Sequence, residues 1–295
     1  MSKTPVFTGA SVAIVTPYTE TGVDYPKLTD LIDEQIAAGI SAITICGTTG
    51  ESSTQSLEEH IVTVDFCVKH VAGRVKVAAG TGSNDTEAAL MLSLEAEKSG
   101  ADALLLVTPY YNKTTQRGLV KHYTYIADRV KTPVILYNVP ARTGLSFTAE
   151  TYRELSRHPL INGVKEASGD FSLLAKTIAE CGDELNVWSG DDNKVVPMMS
   201  LGAKGVISVA ANIIPGVMAE MTAACIAGDF AKGAELQLRW LKLIDALFIE
   251  VNPIPIKTAM NLMGKNVGNL RMPLCDMEQP NLEKLKVALR GAGLL

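Results

Sequence analysis

No two cysteines in this sequence are spaced as CxxC, and no two histidines stand at metal-ligand spacing. The five cysteines, Cys46, Cys67, Cys181, Cys225 and Cys275, are odd in number and widely scattered. A disulfide framework is therefore not expected, and thiols buried as small hydrophobes in a reducing cytoplasm are. The four histidines, His60, His70, His122 and His158, read as surface or helix-end residues. No apolar run approaches the roughly 20 residues that span a bilayer. The first fifteen residues carry one lysine and too short an apolar run for a secretory leader, so a cytoplasmic chain without membrane contact is expected. Basic residues do not gather either. With 27 Lys and Arg against 32 Asp and Glu, a net charge of −5 and no basic stripe, nucleic acid is excluded as a partner. GxGxxG and GK[ST] turns are both missing, which disfavours dinucleotide and P-loop sites.

What is present is a rhythm. Short aliphatic runs recur: SVAIV from Ser11, AITIC from Ala42, VKVAAG from Val75, DALLLV from Asp102, PVILYN from Pro133, INGVK from Ile161, NVWSG from Asn186 and GVISVA from Gly205. They are apolar throughout instead of alternating, as strands buried on both faces are. Helical stretches fill the gaps, with ends that can be read. Asp24 with Pro26 opens the first, and Gly39 closes it. Ser56-Leu57-Glu58-Glu59 has the form of a capping box, followed by a stripe of Leu57, Ile61, Val64, Val68 and Val71. Residues 84–100, 170–182 and 191–202 repeat the design. Eight strand–helix units over residues 1–229 fit a (β/α)8 TIM barrel, α/β in class. Residues 230–295 read as helices only, over 230–250, 253–263 and 280–289, and form a C-terminal helical extension.

Barrel active sites lie at the C-terminal ends of the strands. Lys165 stands out there, because it ends an apolar run and lysine is seldom buried without a partner. A desolvated amine is a nucleophile for carbonyl carbon. An ion pair with Glu166 is the competing reading. Tyr137, ending the neighbouring strand, is either a proton relay or a core residue. The Gly47-Thr48-Thr49-Gly50 turn offers hydroxyls and backbone N–H groups suited to a carboxylate. Arg142 is either a bidentate carboxylate ligand at the mouth or a solvated surface arginine.

These residues match a known pattern. Gly47-Thr48-Thr49-Gly50-Glu51, Thr108-Pro109-Tyr110-Tyr111, Tyr137-Asn138-Val139-Pro140 with Arg142, and Gly163-Val164-Lys165-Glu166-Ala167 resemble the dihydrodipicolinate synthase / N-acetylneuraminate lyase family. Ser189-Gly190-Asp191-Asp192, Gly205-Val206-Ile207-Ser208 and Asn252-Pro253-Ile254-Pro255 carry the likeness over nearly the whole chain. The resemblance implies a Schiff base between Lys165 and pyruvate, with no metal and no organic cofactor. It implies Thr49 on the pyruvate carboxylate, and Tyr137, Thr48 and Tyr111 as the proton relay. Backbone groups of Gly190 and Ile207 would lie around the lysine.

GTTGE, where the lyases more often have GSTGE, and Arg142 followed by Thr143-Gly144 place the chain nearer the synthases. That branch implies L-aspartate 4-semialdehyde as second substrate, its carboxylate on Arg142. Tyr111 would reach a neighbouring subunit's site, which implies a homo-oligomer, a dimer and beyond it a dimer of dimers. An aldolase with another acceptor and a non-catalytic sensor barrel are the alternatives. The positions matching the family's L-lysine pocket are Ser52, Ser53, Leu57, His60, Asn84, Ala88 and Tyr110. Ala88 replaces the glutamate of inhibitable members, so inhibition by L-lysine is expected to be weak or absent.

Overall fold

The computed structural model describes residues 2–295. Eight strands close into a barrel in sequence order, every pairing parallel: β1 (Gly9–Ala13), β2 (Ala42–Ile45), β3 (Lys76–Gly80), β4 (Ala103–Val107), β5 (Val134–Asn138), β6 (Ile161–Glu166), β7 (Asn186–Ser189) and β8 (Gly205–Ser208). Helices α1 (Tyr25–Ala37), α2 (Leu57–Val71), α3 (Thr86–Ser99) and α4 (Gln116–Ala127) connect the first five strands. A single turn, α5 (Pro140–Thr143), and α6 (Ala149–Leu155) lead to β6. Then come α7 (Phe171–Cys181), α8 (Val195–Ser200) and α9 (Pro215–Ile226). The extension holds α10 (Phe230–Ala246), α11 (Ile254–Leu262) and α12 (Gln279–Gly291). The closed barrel is the (β/α)8 architecture that the strand–helix rhythm implied.

Caps do the local work the sequence suggested. Asp24 accepts from the Lys27 N–H at 2.9 Å, and Asp170 from the Leu173 N–H at 2.9 Å. The capping box is only half formed. Ser56 Oγ accepts from the Glu59 N–H at 3.1 Å, but the Glu59 carboxylate is held by both Arg271 guanidinium nitrogens. The buried face of α2 also differs from the expected stripe. Val64 and Val71 are buried, but Leu57 is exposed, and the face is completed by His60, Thr63 and Cys67.

Strand β1 lies two residues before the expected Ser11–Val15. Beyond Ala13 the strand gives way to loop: the Ile14 N–H still donates to the Thr44 carbonyl at 3.1 Å, but the Val15 N–H donates to the Asn212 side chain at 3.1 Å, and both residues are buried. Two histidines are not surface residues. His60 is buried with Nε2 2.8 Å from the Gly80 carbonyl, and His122 is buried with Nδ1 2.9 Å from Thr86 Oγ1. Cys46, Cys67, Cys181 and Cys225 are buried thiols, and Cys275 is exposed.

Most of the apolar core lies between barrel and helices, and a smaller cluster fills the barrel itself. Ala13, Ala42, Ala78 and Ala103 keep that interior narrow. At Gly163 an added Cβ would fall 2.2 Å from the Asn186 carbonyl oxygen and 2.6 Å from the Trp188 ring. The bottom is stopped by Phe7 stacked on Trp188, ring centroids 5.0 Å apart, with the indole N–H donating to the Phe7 carbonyl at 3.2 Å.

Candidate active site

Strand alternation sends Lys165 into the barrel and Glu166 outward. Lys165 is paired across the sheet with Tyr137 on β5 and Trp188 on β7. It is 6% exposed and Tyr137 is 7% exposed. Lys165 Nζ stands 4.4 Å from the centroid of the Tyr137 ring. Among the described residues its side chain has no ion pair and no hydrogen bond.

Glu166 is occupied elsewhere. It accepts from Tyr152 OH at 2.8 Å, from the Ser168 N–H at 2.7 Å and from Asn138 Nδ2 at 3.1 Å. Burial raises its carboxyl pKa, which these donors oppose, and burial also pushes the Tyr152 phenol up. The Lys165–Glu166 ion pair that the sequence left open does not form.

The floor beside Lys165 comes from β7 and β8. Gly190 donates its N–H to the Glu166 carbonyl at 2.8 Å; a Cβ there would meet Ala167 Cβ at 2.6 Å and Lys165 Cε at 3.2 Å. Only glycine lets this segment lie against the lysine stem. Ile207 is fully buried in the interior cluster. Asp192 is buried and accepts the N–H groups of Val209 and Ala210 at 2.9 and 3.1 Å. Burial raises its pKa, against those donors and the positive charge of Lys165.

Opposite, the Gly47-Thr48-Thr49-Gly50 turn is tied by Gly50 N–H to Gly47 O and Glu51 N–H to Thr48 O, both 3.1 Å. Thr48 faces a narrow recess of about 50 Å³ with Gly47 and Tyr137. It also lines a wider cavity of about 440 Å³ with Arg142, Tyr110, His60, Ser52, Ser53 and Leu57. Thr49 is buried, and its Oγ1 accepts from Asn252 Nδ2 at 3.0 Å. Arg142, on α5, donates from Nη2 to the Asn252 carbonyl at 3.0 Å and has no carboxylate partner among the described residues. Lys165, Tyr137, Thr48, Thr49, Arg142, Gly190 and Ile207 thus gather at or beneath one barrel mouth.

Tyr111 does not join them. It is 91% exposed, with a φ of 69° that turns it out of the loop, and Tyr110 lines the cavity instead. Glu87, next to Ala88, accepts from Tyr125 OH at 2.8 Å and does not line the cavity.

Sequence reasoning gave no role to the residues behind the turn. Glu51, in the left-handed region at φ 53°, forms a fully enclosed ion pair with Lys257 of α11 at 2.8 Å. Lys257 also donates to Asn269 O at 2.9 Å and Thr16 O at 3.2 Å, and burial lowers its pKa. Glu51 and Asn252 lay inside quoted motifs, but nothing local marked what each would meet.

A buried amine with no direct ion pair at the end of a barrel strand, against a phenol that shares a recess with a hydroxyl-rich turn, is the equipment of an aldolase-type lyase working through an imine. The model of the Dihydrodipicolinate synthetase family matches residues 6–292, and the chain belongs to that family. It is 55% identical over 292 residues to a protein of Thermoanaerobacter sp. strain X514 named 4-hydroxy-tetrahydrodipicolinate synthase, covering 99% of this chain and 98% of that one. Among solved structures, the dihydrodipicolinate synthase of Aquifex aeolicus superposes with a TM-score of 0.96 at 43% identity, covering 98% of this chain and 99% of the other. A monomeric dihydrodipicolinate synthase variant superposes at 0.95 with 38% identity, over 98% of each chain.

Proposed function

We infer that this chain condenses pyruvate with L-aspartate 4-semialdehyde to 4-hydroxy-tetrahydrodipicolinate, a step of lysine and diaminopimelate biosynthesis. The observation that carries the reading is the buried Lys165 amine, free of any ion pair or hydrogen bond and against the Tyr137 ring, which shares a recess with Thr48. The amine adds to the pyruvate ketone, and the carbinolamine loses water to give an imine. Loss of a methyl proton gives the enamine, whose carbon attacks the aldehyde of the second substrate. The amine of that substrate then adds to the imine carbon and displaces Lys165 as the ring closes.

Thr49 and the turn amides hold the pyruvate carboxylate, and Arg142 holds the carboxylate of the semialdehyde. Tyr137 and Thr48 pass the protons. Gly190 and Ile207 line the floor beside the lysine. Tyr111, exposed on its own chain, completes the relay of a second copy in a dimer, and two dimers join as a tetramer. Residues 1–229 are the catalytic barrel, and residues 230–295 the extension that closes against it. No helix among the described residues is long and apolar enough to cross a membrane, and water-soluble substrates suit a cytoplasmic enzyme.

Borohydride reduction with pyruvate tests this directly. Mass spectrometry should find one pyruvate-derived adduct per chain, on Lys165, and the enzyme should turn over aspartate semialdehyde but not N-acetylneuraminate. An adduct on another lysine, normal turnover by Lys165→Ala, or preference for a sugar acid would overturn the reading.

A further inference from the structure

Asn252 lies outside the barrel, between α10 and α11, yet touches both carboxylate-binding groups of the proposed site. Its Nδ2 donates to Thr49 Oγ1 at 3.0 Å, and its backbone carbonyl accepts from Arg142 Nη2 at 3.0 Å. The residue is 6% exposed, so no bulk water competes for these bonds. Its Oδ1 is enclosed and without a partner, which means the side chain is held by the Thr49 contact alone.

A threonine hydroxyl has one hydrogen and two lone pairs. When an amide N–H occupies a lone pair, the hydroxyl hydrogen cannot point at that amide and must point elsewhere. The hydrogen is then left for another acceptor, which on the proposed reading is the pyruvate carboxylate. A hydroxyl set this way is a ready donor for a carboxylate oxygen, with no rotamer to select when substrate arrives.

We propose that Asn252 is a positioning residue that presets the Thr49 hydroxyl as a hydrogen-bond donor to the pyruvate carboxylate, while its backbone carbonyl holds the Arg142 guanidinium at the adjoining subsite. The inference rests on the reading of Thr49 and Arg142 as carboxylate ligands. It also gives the C-terminal extension a part in binding: the barrel alone supplies the threonine and the arginine but not what aims them.

The two functions separate on mutation, because one uses the side chain and the other the backbone. Asn252→Ala removes the donor and should raise the pyruvate KM about tenfold, the equivalent of one lost hydrogen bond. Asn252→Asp keeps the shape but replaces the donor with a charged acceptor. It would draw the Thr49 hydrogen toward itself and repel the incoming carboxylate, raising the pyruvate KM by about a hundredfold. In both variants the KM for aspartate semialdehyde should stay within about twofold, since the carbonyl to Arg142 remains.

Thr49→Val supplies the control. It should raise the pyruvate KM by itself, and Asn252→Ala added to it should then have no further effect. Pyruvate binding is measured by borohydride trapping at graded concentrations, and the semialdehyde KM by steady-state turnover, on variants with parental circular dichroism. Tolerance of Asp at 252, equal losses on both substrates, or additive losses in the double variant would overturn the inference while leaving Thr49 as a ligand. An unchanged pyruvate KM in Thr49→Val would instead remove the Thr49 assignment, and the inference with it.

Discussion

Replacing Lys257 by methionine should destabilise the protein by about 3–5 kcal/mol, the cost of leaving one member of a buried ion pair without the other. The ammonium donates to Glu51 Oε1 at 2.8 Å, to Asn269 O at 2.9 Å and to Thr16 O at 3.2 Å, and lies 4.6 Å from the Tyr18 ring centroid. Without it, Glu51 keeps only the Arg271 N–H at 2.9 Å, and two carbonyls lose their donor. Glu51→Gln is the milder change, about 1–3 kcal/mol. The amine it strands keeps two carbonyl acceptors and the tyrosine face, and burial already favours its loss of a proton.

Combining Glu51→Gln with Lys257→Met should recover part of the loss, because no charge is then left enclosed; the two changes should interact by about 1–3 kcal/mol. Urea unfolding measures this, with Trp188 in the barrel and Trp240 on α10 as separate fluorescence reporters for cooperativity. A Lys257→Met protein within about 1 kcal/mol of the parent, or additive losses in the double variant, would refute the argument.

Acidification should strain α4. Burial lowers the His122 pKa from 6.5 to about 4, so its contribution is fully present above pH 6.5 and is lost as the pH falls toward 4, by about 3 kcal/mol; His122→Gln should flatten that limb of the stability–pH curve, and an unchanged slope would refute it. L-Lysine should inhibit weakly or not at all, because Ala88 offers no charge and Glu87 is engaged by Tyr125. Half-inhibition below about a millimolar, equivalent to ~4 kcal/mol, would contradict this. Mixing inactive Tyr111→Phe chains with inactive Lys165→Ala chains should restore activity, since one site of a mixed dimer draws on two sound residues. Failure despite proven subunit exchange would return Tyr111 to its own chain.

Barrel topology explains why the gathering of these residues could be read in advance. Once eight buried strands alternate with helices, the residues ending each strand must converge on one face, so Lys165, Tyr137, Thr48 and Arg142 meet without any knowledge of their contacts. Helix starts were legible at Asp24, Ser56 and Asp170 because a cap is a local bond. Several misreadings involve partners outside the local segment. Asn212 takes the Val15 N–H out of the β1 ladder, and Arg271 takes the Glu59 carboxylate away from its capping box. The carbonyl of Gly80 accommodates His60 in the core, where its isolated appearance suggested a surface. Asn252 and Lys257 stayed silent for the same reason: an asparagine before a proline and a lysine in a helix carry no mark of the threonine and glutamate they meet about 200 residues earlier.

The Phe7–Trp188 stack has a kinetic meaning beyond packing. It makes the barrel a well with one opening, so whatever is deepest arrives first and leaves last. On the proposed reading, pyruvate held by Lys165 at the floor is loaded before the semialdehyde enters above it. Water released as the imine forms would depart through the same opening, before the second molecule closes the mouth. That reading expects substrate order to be imposed by traffic instead of by a moving lid, with aspartate semialdehyde that enters too early acting as a stopper.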